Sequence, residues 1–140
     1  MSKKEKLKKK RKSPFEPTGE VPVVLYSSTI PRTIVDRTSP VAGAHMHLTG
    51  TRLQLILNPG TSRQQTLLDS NPFYFDNQAP VTLPKPVPLK AGDVVRIVCT
   101  YNPGLHLLVP QLQQLPWRYV IWGDGSSDEM CLGSLRVTRP

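Results

Sequence analysis

Fifteen prolines, spread along the whole chain rather than gathered in one linker, constrain the fold more than any other feature. Proline lacks a backbone N–H and its ring clashes with the preceding helical turn, so it sits badly in helix interiors; in sheets it marks edges and turns. Short apolar and β-branched runs lie between the prolines. Together they predict an all-β protein. A length of 140 residues allows one domain with a single modest core, plus a tail.

The strands follow from local patterning. Residues 13–40 are rich in Pro, Ser and Thr and read as a linker with one or two edge strands. From residue 41 the pattern tightens. "VAGAHMHL" and "TRLQLILN" are adjacent extended runs around Thr49 and Gly50, a hairpin-like pair. In the second run Leu53, Leu55 and Leu57 alternate with Arg52, Gln54 and Ile56, the period of a half-buried strand. "QTLLD" and "PFYFDNQ" read as short strands. "VTLPKPVPL" reads as a Pro-rich edge, residues 90–93 as a turn, and Val94 to Tyr101 as a strong strand. "NPGLHLLVPQLQQLPW" is loop, "RYVIWGD" a strand, "GDGSSD" a turn and "EMCLGSLRV" the last strand. Eight to ten short strands separated by turns predict a sandwich or jelly roll.

The net charge of +8 is concentrated at one end. Residues 1–12, "MSKKEKLKKKRK", hold seven Lys, one Arg and one Glu, a sum of +7, which leaves +1 for the rest. The basic residues beyond this block are Arg except for Lys85 and Lys90. A like-charge block of this kind is expected to be disordered and solvated. The domain plan is therefore a Lys-rich tail at 1–20, a linker or edge strands at 21–40, and a β-domain at 41–138. No interleaved aromatics accompany the tail, so sequence-specific nucleic-acid recognition is not expected. The basic start is followed by no apolar run long enough for a secretory signal, and no stretch approaches the ~20 apolar residues of a membrane-spanning helix.

His45 and His47 are two of three histidines in the chain. On a strand, residues i and i+2 share a face, so the two imidazoles would lie side by side, able to converge on one metal ion, with Met46 on the opposite face. No third His, and no Asp or Glu at a simple zinc spacing, lies nearby. The remaining soft donor is Met130, delivered by a polar turn. Two imidazoles and a thioether suit Cu(I) better than zinc or magnesium. Cys99 and Cys131 match no zinc pattern and leave open two thiols or one disulfide.

"GAHMHLTG", "VRIVCTYN" and "WGDGSSDEMCLG" together resemble the C-terminal domain of the copper type II, ascorbate-dependent monooxygenases, the group that includes peptide-amidating and dopamine-hydroxylating enzymes. The resemblance covers roughly residues 41–138. It implies a jelly-roll sandwich, one copper per chain held by His45, His47 and Met130, dioxygen as a partner, and a disulfide between Cys99 and Cys131. Such a bond requires an oxidising compartment, which suggests a secreted or periplasmic location. The missing signal segment conflicts with that and points to a misplaced start or a truncated frame, with reduced thiols in a cytosolic protein as the other possibility.

Two departures from the family pattern matter. The complete enzymes carry a second copper on three histidines of another domain, and this chain retains only His106 beyond the pair. It therefore looks like the oxygen-activating half, dependent on a second copper domain or chain for electrons. The peptide-amidating branch also grips its substrate carboxylate with Arg, Asn and Tyr, where this chain has Gly43, Leu132 and Ser134. Glycine-extended peptides are accordingly not the expected substrate; some other small molecule or peptide is.

The other polar and aromatic residues near these motifs read as structural. Asp128 and Glu129 are expected to be turn and surface carboxylates, with a role in orienting an imidazole as the alternative. Trp122 and Tyr119 are expected to pack at a sheet face, with the lining of a substrate cleft, together with Trp117, as the alternative; Tyr101 is expected to share the face of Cys99, His106 to sit in a loop, and "FDNQ" at 75–78 to be structural. The leading expectation is an oxidoreductase that hydroxylates a C–H bond. A non-catalytic copper module for storage, delivery or sensing is the alternative, and a sandwich whose Lys tail engages nucleic acid or lipid is a third.

Overall fold

The computed structural model describes residues 21–32, 37–118 and 121–138. The Lys-rich stretch at 1–20 lies outside them, as do Tyr119 and Val120. Among the described residues seven strands form: β1 Val21–Thr29, β2 Arg37–Met46, β3 Gly50–Leu57, β4 Gln65–Ser70, β5 Val81–Leu89, β6 Val94–Tyr101 and β7 Cys131–Thr138. They make two antiparallel sheets, ordered β1-β6-β3-β4 and β5-β2-β7, which pack as a β-sandwich, the class that proline density and strand spacing predict.

Alternation builds the core. Leu53, Leu55 and Leu57 of β3 point inward and are 4% exposed or less. Burying each such side chain stabilises by about 1.5–3 kcal/mol. Opposite them, Ala42 and Met46 of β2 are fully buried, joined by Leu83, Val87 and Leu89 of β5. The prolines of β5 are tolerated because β5 is an edge strand. Its ladder to β2 skips from Val87 to Thr82, so Pro84 and Pro86 have no partner in it.

Two turns at one end are locked together. Asn58, at a φ of 49°, ends β3, and its side-chain amide donates to Asp93 Oδ1 at 2.9 Å while its Oδ1 accepts from the Val94 N–H. Asp93 also accepts the Lys90 N–H at 2.8 Å and pairs with Arg63 at 3.0 Å. Burial pushes its carboxyl up, but the Lys90 N–H, the Asn58 amide and the Arg63 guanidinium outweigh burial and hold it below the usual carboxylate value.

Several local expectations need correction. Residues 41–58 form no hairpin: β2 and β3 lie in opposite sheets, and the chain crosses between them at 47–49. "PFYFDNQ" is turn and irregular backbone, not a strand. In "RYVIWGD" the described residues make only a bridge, between Trp122 and Glu129. The loop after β6 contains a 3-10 turn at Pro103–Leu107 and one helical turn, α1, at Pro110–Gln113. Short apolar pieces flanked by turn residues carry no period long enough to separate these outcomes.

Candidate functional site

The site forms where the end of β2 meets the start of β7. The two strands pair antiparallel, with Gly43 opposite Ser134, His45 opposite Leu132 and Met46 opposite Cys131. Directly opposed residues share a face. Met46 and Cys131 face the core, so His45 and Leu132 face outward. One step further along both chains come His47 and Met130.

A buried carboxylate holds that step in place. Glu129 Oε2 accepts the His47 N–H at 3.1 Å, and Oε1 accepts both the Thr49 N–H at 2.7 Å and the Thr49 hydroxyl at 2.5 Å. Its residue is 7% exposed; the expectation of a surface carboxylate is thus wrong for Glu129. Three orphan donors in the crossing at 47–49 explain why a charge is tolerated there. Asp128 sits nearer the surface and its carboxylate pairs with Arg118 at 2.5 Å.

The imidazoles of His45 and His47 lie with ring centroids 5.1 Å apart and planes at 86°. His45 Nδ1 is 2.6 Å from Gln78 Oε1, and the Gln78 amide nitrogen donates to the Phe75 carbonyl at 2.7 Å. That second bond turns the amide oxygen toward the ring, so Nδ1 must be the donor. His47 Nδ1 faces the Asp128 carbonyl at 3.3 Å, an acceptor only, so it too carries the proton. In the neutral imidazole this tautomer leaves Nε2 of each ring as the nitrogen with a lone pair. The "FDNQ" segment therefore does more than brace the fold: Gln78 orients His45, and the Phe75 ring lies edge-on to His47 at 6.5 Å.

Met130 is partly buried, and its carbonyl accepts the Tyr101 hydroxyl at 2.9 Å. Burial and the neighbouring Glu129 raise the Tyr101 pKa well above the usual phenol value, which keeps that donor protonated. Behind Met130, Cys131 is bonded to Cys99 of β6, with the Cα atoms 6.0 Å apart, so the two sheets are joined covalently beside the site. His106 is elsewhere, stacked on Trp117 at 4.1 Å with Nε2 facing the Leu115 carbonyl at 3.0 Å. Trp122 is 64% exposed rather than packed on a sheet face, and it lines a groove of about 880 Å³ beside Met130. Among the described residues no group of three or more His, Cys, Asp or Glu side chains could hold a metal ion.

A family model described as copper type II ascorbate-dependent monooxygenase, C-terminal domain, matches residues 30–135. The chain belongs to this family. The match to the copper type II monooxygenase C-terminal domain takes in β2 to β7 up to Leu135, and so includes both histidines, Met130 and the disulfide. A comparison with curated proteins gives no match.

Proposed function

We propose that this chain is the copper-binding, oxygen-activating half of a monooxygenase that hydroxylates C–H bonds, with one copper ion held by His45, His47 and Met130. One observation carries the reading: two imidazoles 5.1 Å apart each spend Nδ1 on an oxygen acceptor and keep Nε2 for a metal. Hydrogen bonding at the far nitrogen fixes tautomer and ring angle and raises ligand basicity. The β2–β7 register supports the third donor, because its last pair, Met46 and Cys131, is flanked by His47 on one strand and Met130 on the other.

The residues fit copper. Two imidazoles with a thioether favour the cuprous ion, which is softer than zinc. Bound copper supplies one-electron redox chemistry and an open position for dioxygen. The chain's own groups supply the geometry: Gln78 and the Asp128 carbonyl aim the rings, and the Glu129 carboxylate ties the crossing at 47–49 to the residue before Met130. A three-histidine centre cannot be built from His106 alone, so electrons from ascorbate reach the site through another domain or chain.

The substrate is not a glycine-extended peptide. Gly43, Leu132 and Ser134 lie in register around His45 and none offers a charge to a carboxylate. A Cβ at Gly43 would fall 2.6 Å from Ser134 Oγ, so a side chain there requires the Ser134 hydroxyl to turn aside.

Cuprous loading of the copper-free protein followed by X-ray absorption tests the ligand set. One copper per chain with a sulfur scatterer, lost in Met130→Ile, together with loss of binding in His47→Ala, is the expected result. A nitrogen-only shell in the wild-type protein overturns the methionine assignment. Ascorbate-dependent oxygen uptake coupled to a hydroxylated product supports catalysis; bound copper with no coupled product under an added electron source reduces the domain to a copper carrier.

A further inference from the structure

A groove of about 880 Å³ has a volume within the range of small-ligand sites. It opens where the four-stranded sheet outruns the three-stranded one. Ile97 of β6 forms one wall, Leu135 and Val137 of β7 the other, and Ile121 and Trp122 close an end. Among the described residues β7 is the last strand of its sheet, so the groove follows a sheet edge.

One end of the groove reaches the residues next to the candidate metal centre, although neither His45 nor His47 lines it. Met130 and Leu132 both line it, and Leu132 is the residue directly opposite His45. Its chemistry is nearly free of available charge. Among the described residues Glu129 is the single carboxylate in the lining, and all three of its side-chain hydrogen bonds go to the 47–49 crossing. The Tyr101 hydroxyl, also in the lining, is spent on the Met130 carbonyl. Ser28 leaves a hydroxyl of modest polarity.

An added β-strand from another polypeptide is the rival occupant of an open edge. The end nearest Met130 argues against it. There the Glu129 N–H donates to the Ile121 carbonyl at 3.0 Å and the Gly123 N–H to the Glu129 carbonyl at 3.2 Å. The backbone leading into β7 is thus already paired, and a strand running along the edge meets Ile121 and Trp122. What remains is a concavity closed at the metal end.

We infer that this groove binds an uncharged, largely apolar small molecule and presents it beside Met130, which makes such molecules the substrate class of the site; as a substrate assignment this rests on the copper reading. Charged ligands are rejected because they would lose hydration without gaining a partner. The peptide-amidating strategy, a charged clamp on a carboxylate, is replaced by shape and apolar contact.

The test uses the full chain, first without copper, and the neutral fluorophore N-phenyl-1-naphthylamine. Saturable binding at one site per chain is expected, weakened at least tenfold in Ile121→Lys and in Val137→Lys, both at exposed positions, with circular dichroism and melting temperature checking that each variant folds. Naphthoate and naphthylmethylammonium should bind at least tenfold more weakly than the neutral probe. Absence of saturable binding, equal binding of the charged analogues, or displacement of the probe by apolar strand peptides but not by small neutral molecules would overturn the inference. Loading Cu(II) should quench the bound probe in the wild-type protein and not in His45→Ala. Copper that loads without quenching removes the substrate assignment. Copper that fails to load while the probe still binds removes the copper reading and leaves the groove standing as a ligand site.

Discussion

Gln78 shows how a single amide can set the chemistry of a distant ring. It lies 33 residues from His45 in sequence and reaches Nδ1 at 2.6 Å. Gln78→Leu removes the acceptor and frees the ring to rotate and change tautomer. Cuprous affinity, measured by competition with a chelator, should fall about 10–100-fold, and Gln78→Glu, which keeps an oxygen there, should recover most of it. Nothing in the local sequence announces this role. "FDNQ" has neither a strand period nor a ligand spacing, and its function appears only when a loop folds over the β2 face. Glu129 was obscured for a related reason: acidic residues in a turn are ordinarily solvated, and the donors that bury this one come from residues 47–49. Asp93 offers a test at the same scale. Its folded pKa is lowered, so its contribution is fully present above the ordinary carboxylate value near 3.8 and is lost as pH falls through the lower folded value. Urea midpoints of the wild-type protein should drop below about pH 4, and Asp93→Asn should be less stable at neutral pH with a flatter acid limb.

Among the elements, the disulfide and the crossing between sheets matter most. The bond closes a separation of 32 residues, for which loop-closure entropy gives a stabilisation of about 3–4 kcal/mol. The double variant Cys99→Ala/Cys131→Ala should lose stability on that scale in chemical denaturation and should also lose cuprous affinity, because β7 then bears on β6 through packing alone. The pairing of these cysteines was suggested by the family resemblance and forms in the folded chain; spacing alone left it open. Strand identity was legible where alternation ran long, as in β3 and β6. The hairpin expected at 41–58 fails because Thr49 and Gly50 resemble a tight turn in composition, whereas Met46 and Leu53 both seek the same core from opposite sides. A Cβ added at Gly133 meets Leu55 and Ile97, so close approach of the sheets at β7 is a property of that glycine, not of any period.

Across the whole molecule, charge and site chemistry separate cleanly. Removing residues 1–12 takes the formal charge from +8 to +1. Retention on a cation-exchange matrix, or on anionic vesicles at low salt, should fall sharply in the truncated chain, with copper binding and melting temperature unchanged. Glycine-extended peptides, titrated calorimetrically against the copper-loaded protein, should show no micromolar binding, and Gly43→Arg alone should not create it, because Leu132 and Ser134 still leave the other two clamp positions without their partners. The sandwich class was legible from proline density and turn spacing. The groove was not, since it arises from the unequal widths of two sheets, and no segment of the chain encodes that difference by itself.

Cys131, turned to the interior and bonded to Cys99, directly follows Met130, the proposed sulfur donor. A thiol reductant added to keep copper monovalent would therefore attack the tether next to the donor proposed above. Ascorbate, which leaves cystine intact, is the compatible choice at the bench, and any setting that cleaves the 99–131 bond should leave this polypeptide a poorer host for the metal.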